Sequence, residues 1–238
     1  MYFEETYEPR TGDYNRYTNL AYEAILQILE NAGRHHAEQV NDLKSSGLDK
    51  KISWILAEWQ IEVVRRPKIT EALHLRTWVK GTAPTSAVLR DYLVFDGSGS
   101  LLIRAEAKFA LFDLEAGRLM RIGKDIMELY QPESEDVFAE VQPRLRPPVE
   151  PGIRKPLVLR RGDIDFNGHV HNTRYLDLAM EALPDTLYIN DTFREIRIAY
   201  RKPILEGNTV FADTQTIDDV TYVTLYAENV PCAIITFQ

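Results

Sequence analysis

The chain has 238 residues, 45% of them apolar and 27% charged, enough for a sizeable core and long enough for two small domains. A net charge of −8 leaves no overall basic footprint and argues against a general nucleic-acid binder; one cysteine, Cys232, excludes an intramolecular disulfide and a cysteine-based zinc site. No run approaches the ~18–20 apolar residues that span a bilayer, and the acidic start Met1-Tyr2-Phe3-Glu4-Glu5 reads as neither a secretory signal nor an Arg-rich transit peptide, so a cytoplasmic location is expected.

In chain order, a polar opening leads to a helix. Ala21, Ile25, Ile28, Leu29 and Ala32 share one face; Thr18 or Asn19 can cap its start, and Gly33 lies near a stop. His35 and His36 instead favour a continuation toward Ser45-Ser46-Gly47. Strands follow by period two: Ile55, Ala57, Trp59, Ile61 and Val63, then Leu73, Leu75, Thr77 and Val79. Val88–Phe95 and Leu101–Phe112 flank Asp96-Gly97-Ser98-Gly99, a hairpin turn. Residues 131–152 hold Pro132, Pro143, Pro147, Pro148 and Pro151, which forbid a regular element and predict a partly extended linker.

The second half repeats the order. A short strand over Lys155–Arg161 precedes a polar stretch containing Gly162-Asp163, an echo of Gly12-Asp13. A helix presents Tyr175, Leu176, Ala179, Met180 and Leu183 on one face, with Asn172 or Thr173 as its cap. Strands are expected over Phe193–Tyr200, Val210–Thr216, Val220–Ala227 and Cys232–Phe237. Arg65-Arg66-Pro67 before Glu71 is likewise echoed by Arg201-Lys202-Pro203 before Glu206. The expected architecture is α+β: two copies of a long helix wrapped by an antiparallel sheet, over residues 1–130 and 153–238, paired as a pseudo-dimer. Local basic clusters at Lys50-Lys51, at Arg65-Arg66-Lys68 and at Arg154-Lys155 with Arg160-Arg161 could receive an acidic partner, or are plain solvated surface.

The densest polar cluster is Gly162-Asp163-Ile164-Asp165-Phe166-Asn167-Gly168-His169-Val170-His171-Asn172. Asp163, Asp165, Asn167 and Gly168 fit the opening of a calcium loop, but the closing bidentate glutamate is replaced by Arg174. His169 and His171 lack a third zinc ligand nearby. A purely structural turn is compatible with the Asp, Asn and Gly content. A catalytic reading uses a carboxylate, an amide and an imidazole just before a helix N-terminus, where backbone N–H groups can polarise a carbonyl.

Asp165-x-Asn167-x-His169-Val170-x-Asn172-x-x-Tyr175 resembles the D-x-N-x-H-V-N-N-x-x-Y motif of plant-type acyl-acyl carrier protein (ACP) thioesterases, with His171 at the first Asn of the pair. Ser53-Trp54-Ile55-Leu56, Arg66-Pro67, Trp78, Leu89-Arg90-Asp91-Tyr92 with Asp96, and Phe112-Asp113-Leu114 with Arg118 extend the resemblance to the first half. It implies a double hotdog fold, no metal or cofactor, and hydrolysis of acyl-ACP to fatty acid and ACP. Catalytic roles then fall to Asp165, Asn167 and His169, and substrate binding to Asn172 and Tyr175. The partner is ACP carrying a phosphopantetheine-linked acyl chain, with no nucleic acid and no membrane span; a homodimer is left open. The family glutamate three residues after Tyr200, and the cysteine after it, are Pro203 and Ile204 here, with Glu206 and Glu181 as candidate substitutes. The first half would house the acyl tail, its apolar positions equally serving as core. Rival expectations are an acyl-CoA hydrolase, an enoyl-thioester hydratase, for which Asp165 and Phe166 sit at the wrong motif positions, and a noncatalytic acyl-binding module.

Overall fold

The structure, a computed structural model, describes residues 1–45, 52–81 and 87–238. The described residues fall into two compact units: Met1–Ala57 with Ile61–Val141, and Gln142–Gln238 with Glu58–Gln60.

Unit 1 begins with strand β1 (Phe3–Tyr7) and a 3-10 turn over Thr11–Asp13, then α1 (Tyr22–Val40) and the short α2 (Asp42–Ser45). Next come β2 (Ile52–Val63), β3 (Leu73–Val79), β4 (Ala87–Phe95), β5 (Leu101–Asp113), β6 (Arg118–Met120) and α3 (Lys124–Tyr130). The sheet order is β1-β3-β4-β5-β2, with β6 also on β5. Helix α1 forms where its apolar stripe is: Ile25, Ile28, Leu29 and Ala32 are buried. Neither expected cap residue serves it; Ala21 is the N-cap, with no side-chain bond.

Gly33 is not a stop. A β-carbon there would meet the Tyr92 hydroxyl at 2.7 Å, so the glycine permits close approach of helix to sheet. The helix runs on through His36, fully buried, whose Nδ1 accepts from Arg90 Nη1 at 2.8 Å. It ends at Asn41, in the left-handed conformation at φ 54°. The expected continuation through Ser46-Gly47, and the Lys50-Lys51 cluster, lie outside the described residues.

In β2 the alternation changes phase. Trp59, Ile61 and Val63 are buried as expected, but toward the strand's start Leu56 is buried and Ile55 is 39% exposed. A strict period-two reading placed Ile55 inside.

Unit 2 comprises β7 (Ile153–Leu157), a 3-10 turn over Arg161–Asp163, α4 (Arg174–Ala182) and α5 (Asp185–Asn190). Strands β8 (Glu195–Tyr200), β9 (Val210–Ile217), β10 (Val220–Ala227) and β11 (Val230–Phe237) complete it. Its sheet order is β7-β9-β10-β11-β8. Taken strand by strand, this is the order of unit 1, all antiparallel where registers are defined. Strand β7 stops at Leu157, earlier than expected, and holds Pro156, which an edge strand tolerates. Helix α4 lies on β9, β10, β11 and β7, burying Tyr175, Leu176, Leu178, Ala179 and Ala182.

The proline-rich segment is extended but pinned. Within unit 1, Gly81 N–H donates to Glu133 O and Glu133 N–H to Val79 O, while Trp78 Nε1–H reaches Glu135 O. Within unit 2, Arg197 and Arg201 donate to the carbonyls of Pro143 and Leu145, both at 2.7 Å, and Leu145 is buried beside Ala199 and Ile234. Most of the expected basic clusters are also spoken for. Arg65 pairs with Glu71 and Asp96, Arg66 stacks on Tyr22, and Arg154 makes two bonds to Asp213.

Candidate active site

The polar cluster of unit 2 folds as a tight hairpin held by its own side chains. Asp165 N–H donates to His169 O at 2.7 Å, His171 N–H to Asp163 O at 2.9 Å, and Gly168 N–H to Asp165 O at 3.1 Å. Asp165 Oδ1 accepts two backbone N–H groups, from Asn167 at 2.8 Å and His169 at 3.0 Å. Its Oδ2 takes the Asn167 amide at 3.3 Å. Burial pushes the Asp165 pKa up, but these bonds and the His169 imidazole outweigh it, and the net shift is downward. The carboxylate is therefore ionised at neutral pH. Gly168, at φ 77°, makes the turn that a β-carbon would resist.

Unit 1 contains the same hairpin 150 residues earlier, from Asp13 and Asp163 onward. Asn15 N–H donates to Asn19 O at 2.9 Å, Ala21 N–H to Asp13 O at 2.8 Å, and Thr18 N–H to Asn15 O at 3.0 Å. Asn15 Oδ1 accepts from Tyr17 N–H at 3.0 Å and Asn19 N–H at 3.1 Å. Even the turn before it recurs: Arg10 and Arg160 N–H each donate to the following Asp, Asp13 or Asp163, at 2.7 Å. The two hairpins share a backbone. They differ in chemistry: Asp165, Asn167 and His169 stand where unit 1 has Asn15, Tyr17 and Asn19.

The hairpin is braced from the far side. Val170 N–H donates to Ile204 O at 2.8 Å, Glu206 N–H to Gly168 O at 3.2 Å, and His169 pairs with Leu205. Tyr175 fixes this brace: 3% exposed, it accepts the Ile204 N–H at 2.8 Å and meets Tyr200 edge-on at 5.3 Å. The Tyr200 hydroxyl in turn donates to Asn172 O at 3.0 Å.

The structure thus brings Asp165, Asn167 and His169 together on one hairpin. Asn172 is exposed at its end, and Tyr175 lies buried beneath. Of the two substitutes for the family glutamate, Glu206 is beside the hairpin by its backbone. It lies in the turn that follows Leu205 and is exposed. Glu181 is seven residues into α4, about 10 Å along the axis from its first residue.

Neither expected side chain caps α4. The N-cap, Thr173, makes no capping bond. His171 does the work instead: its carbonyl accepts Arg174 N–H at 2.9 Å, and its Nδ1 receives Thr173 N–H at 3.4 Å and the Thr173 hydroxyl at 3.1 Å. The helix-start amides counted on as carbonyl-polarising groups are already engaged. Those of Thr173, Arg174, Tyr175 and Leu176 all bond within this turn. Among the described residues, no three His, Cys, Asp or Glu side chains are arranged to hold a metal ion. Asp163 is turned instead to Arg160, at 2.8 Å. Cys232 is buried in β11. No described helix is long and apolar enough to cross a membrane.

A repeated helix-on-sheet unit with a polar hairpin before the second helix defines a tandem hotdog protein. The same fold is seen in the 12:0-ACP thioesterase from Umbellularia californica (TM-score 0.85, 18% identity, 100% of this chain and 96% of that one). It is also seen in an acyl-ACP thioesterase from Bacteroides thetaiotaomicron (TM-score 0.85, 18% identity, 99% and 96%). The chain belongs to the acyl-ACP thioesterase family: residues 1–130 match its N-terminal domain and residues 148–236 its C-terminal domain. It is 23% identical to the chloroplastic oleoyl-acyl carrier protein thioesterase 1 of Arabidopsis thaliana over 92% of its own length, and spans 65% of that relative. It is 22% identical to the chloroplastic palmitoyl-acyl carrier protein thioesterase of Cuphea hookeriana over 85% of its length, spanning 52% of that protein.

Proposed function

We propose that this chain hydrolyses a fatty acyl thioester carried on the phosphopantetheine arm of ACP, releasing the fatty acid and the carrier thiol. Family membership supports the reaction class. The observation that carries the reading is the pair of matched hairpins, of which only the second holds a carboxylate, an amide and an imidazole. We assign the chemistry to a C-terminal domain over 153–238, joined by the 131–152 linker to an N-terminal domain over 1–130 that takes the acyl tail. A cytoplasmic setting fits the single cysteine.

In this reading His169, whose ring has no hydrogen-bond partner among the described residues, accepts a proton from water as the water oxygen attacks the thioester carbon. It returns that proton to the sulfur as the C–S bond breaks. Ionised Asp165, steadied by Asn167, stabilises the imidazolium formed between the two steps. Asn172 and Tyr175 serve the substrate side, Asn172 by contact and Tyr175 by holding the brace.

The test is free-thiol release from a panel of acyl-ACPs and matched acyl-CoAs. Release from acyl-ACP that falls with Asp165→Asn supports the reading. A strong preference for acyl-CoA would reassign the carrier, and no release from either would overturn hydrolysis.

A further inference from the structure

Hydrolysis of a thioester places negative charge on the carbonyl oxygen, and a donor must meet it. The first amides of α4 do not, because those of residues 173–176 are engaged inside their own turn. A side-chain donor beside the helix start can take their place, and His171 is built as one. Thr173 N–H and the Thr173 hydroxyl converge on Nδ1, at 3.4 and 3.1 Å. A backbone N–H can only donate, so Nδ1 carries a lone pair and the ring proton sits on Nε2. Residues 169–171 are extended, paired at His169 with Leu205 and at Val170 with Ile164. Val170 is 3% exposed, so His169 and His171 leave the backbone on the opposite side.

We propose that His171 is a catalytic hydrogen-bond donor, its neutral ring presenting Nε2–H to the thioester carbonyl oxygen and to the oxyanion formed from it. Thr173 is the positioning residue that fixes the tautomer. His171 keeps its proton throughout; the transferred proton travels on His169. Desolvation, with the Arg174 guanidinium adding to it, holds the His171 pKa below the ordinary imidazole value against the opposing pull of Asp165. The ring is thus kept in the donor form at neutral pH. Unit 1 has Ala21 at the matching position, so its hairpin, alike in backbone, lacks this donor too.

The inference rests on the hydrolase reading, and two measurements separate their failures. Nitrogen-15 NMR of the wild-type chain should show His171 as the Nε2–H tautomer at pH 7, and Thr173→Val should loosen that preference. An Nδ1–H tautomer in the wild type would overturn the assignment whatever the activity. In acyl-ACP hydrolysis, His171→Ala should lower kcat by about 10²–10³-fold, the loss expected for one oxyanion donor, with little change in KM. His171→Asn, which keeps a neutral donor, should retain activity within about tenfold of wild type. An active wild type with an equally active, folded His171→Ala variant would overturn the proposal alone. A wild type inactive on every acyl thioester would overturn the hydrolase reading, and this proposal with it.

Discussion

Asp165 has two jobs that the molecule itself separates. Its Oδ1 pins the hairpin through two backbone N–H groups, and its charge faces the imidazole of His169. Asn15 performs the first job without the second, accepting the matching N–H groups at 3.0 and 3.1 Å against 2.8 and 3.0 Å for Asp165. Asp165→Asn should therefore keep the hairpin and remove only the charge. Exchanging two charge-assisted bonds for neutral ones costs about 1–2 kcal/mol in total. With its oxygen kept on those two N–H groups, the new amide places its NH₂ at the Oδ2 position, so Asn167, whose Nδ2 lies 3.3 Å from Oδ2, must turn its amide oxygen toward it. A Tm fall of about 2–8 °C follows for a chain of this size. Losing the carboxylate that stabilises the imidazolium should lower kcat by about 10²–10⁴-fold, or roughly 3–5 kcal/mol of barrier. Thiol release from acyl-ACP, alongside thermal melts, reads both quantities. Asp165→Ala is the poorer probe, because it strips the acceptor from both N–H groups as well. A folded Asp165→Asn variant with more than a tenth of wild-type turnover would refute the role of the charge. A collapse of stability well beyond this range would refute the equivalence of the two hairpins.

Two further outcomes follow from buried polar groups. Asp91 is fully buried, with Oδ2 accepting Val137 N–H at 3.1 Å, Lys80 at 4.0 Å, and Oδ1 without a hydrogen-bond partner among the described residues. Burial lifts its pKa from 3.8 to about 7 against the pull of Lys80. The folded state thus holds this proton more tightly than the unfolded one. The resulting stability is complete below pH ~4 and is lost as pH rises through ~7, with a ceiling of about 4 kcal/mol at 1.36 kcal/mol per pH unit. Asp91→Asn should gain on wild type as pH rises from 5 to 8; melts showing a pH-independent gap would contradict this. Tyr175→Phe leaves the buried Ile204 N–H without its acceptor, costing about 1–3 kcal/mol. By loosening the brace under His169 it should lower kcat more than it raises KM, and an unchanged kcat would show that the brace does not matter.

Much of this was legible in the sequence where one physical signal dominated. Val220–Ala227 is rich in β-branched and aromatic residues and is β10 to the residue. Strand β1 was missed because Phe3–Tyr7 carries glutamates at two of five positions and lies at a sheet edge, where burial contrast is weak. Helices α3 and α5, seven and six residues long, are too short to announce themselves by periodicity. The Asp165, Asn167 and His169 cluster was readable because its members are close in sequence. The capping by His171 was not, because Asn, Asp, Ser and Thr are the residues expected to fold back on the backbone two residues ahead. The repeated hairpin was half legible. Gly12-Asp13 and Gly162-Asp163 gave the echo, but matching Asn15 to Asp165 requires the shared hydrogen bonds.

The turn residue of each hairpin bears on what shaped it. Gly168 takes φ 77° without strain, whereas the matching Thr18 takes φ 64° with a β-branched side chain. A left-handed conformation costs a non-glycine residue of order 1–3 kcal/mol and persists only where its surroundings over-determine it. In unit 1 those surroundings are the Asn15 bonds and the backbone pairing around them, with Asn15 and Asn19 in place of the Asp165 carboxylate and the His169 imidazole. The hairpin geometry therefore belongs to the fold rather than to catalysis. In the mechanism proposed above, catalytic competence in unit 2 rests on four side chains, Asp165, Asn167, His169 and His171, set on a frame that the chain builds twice.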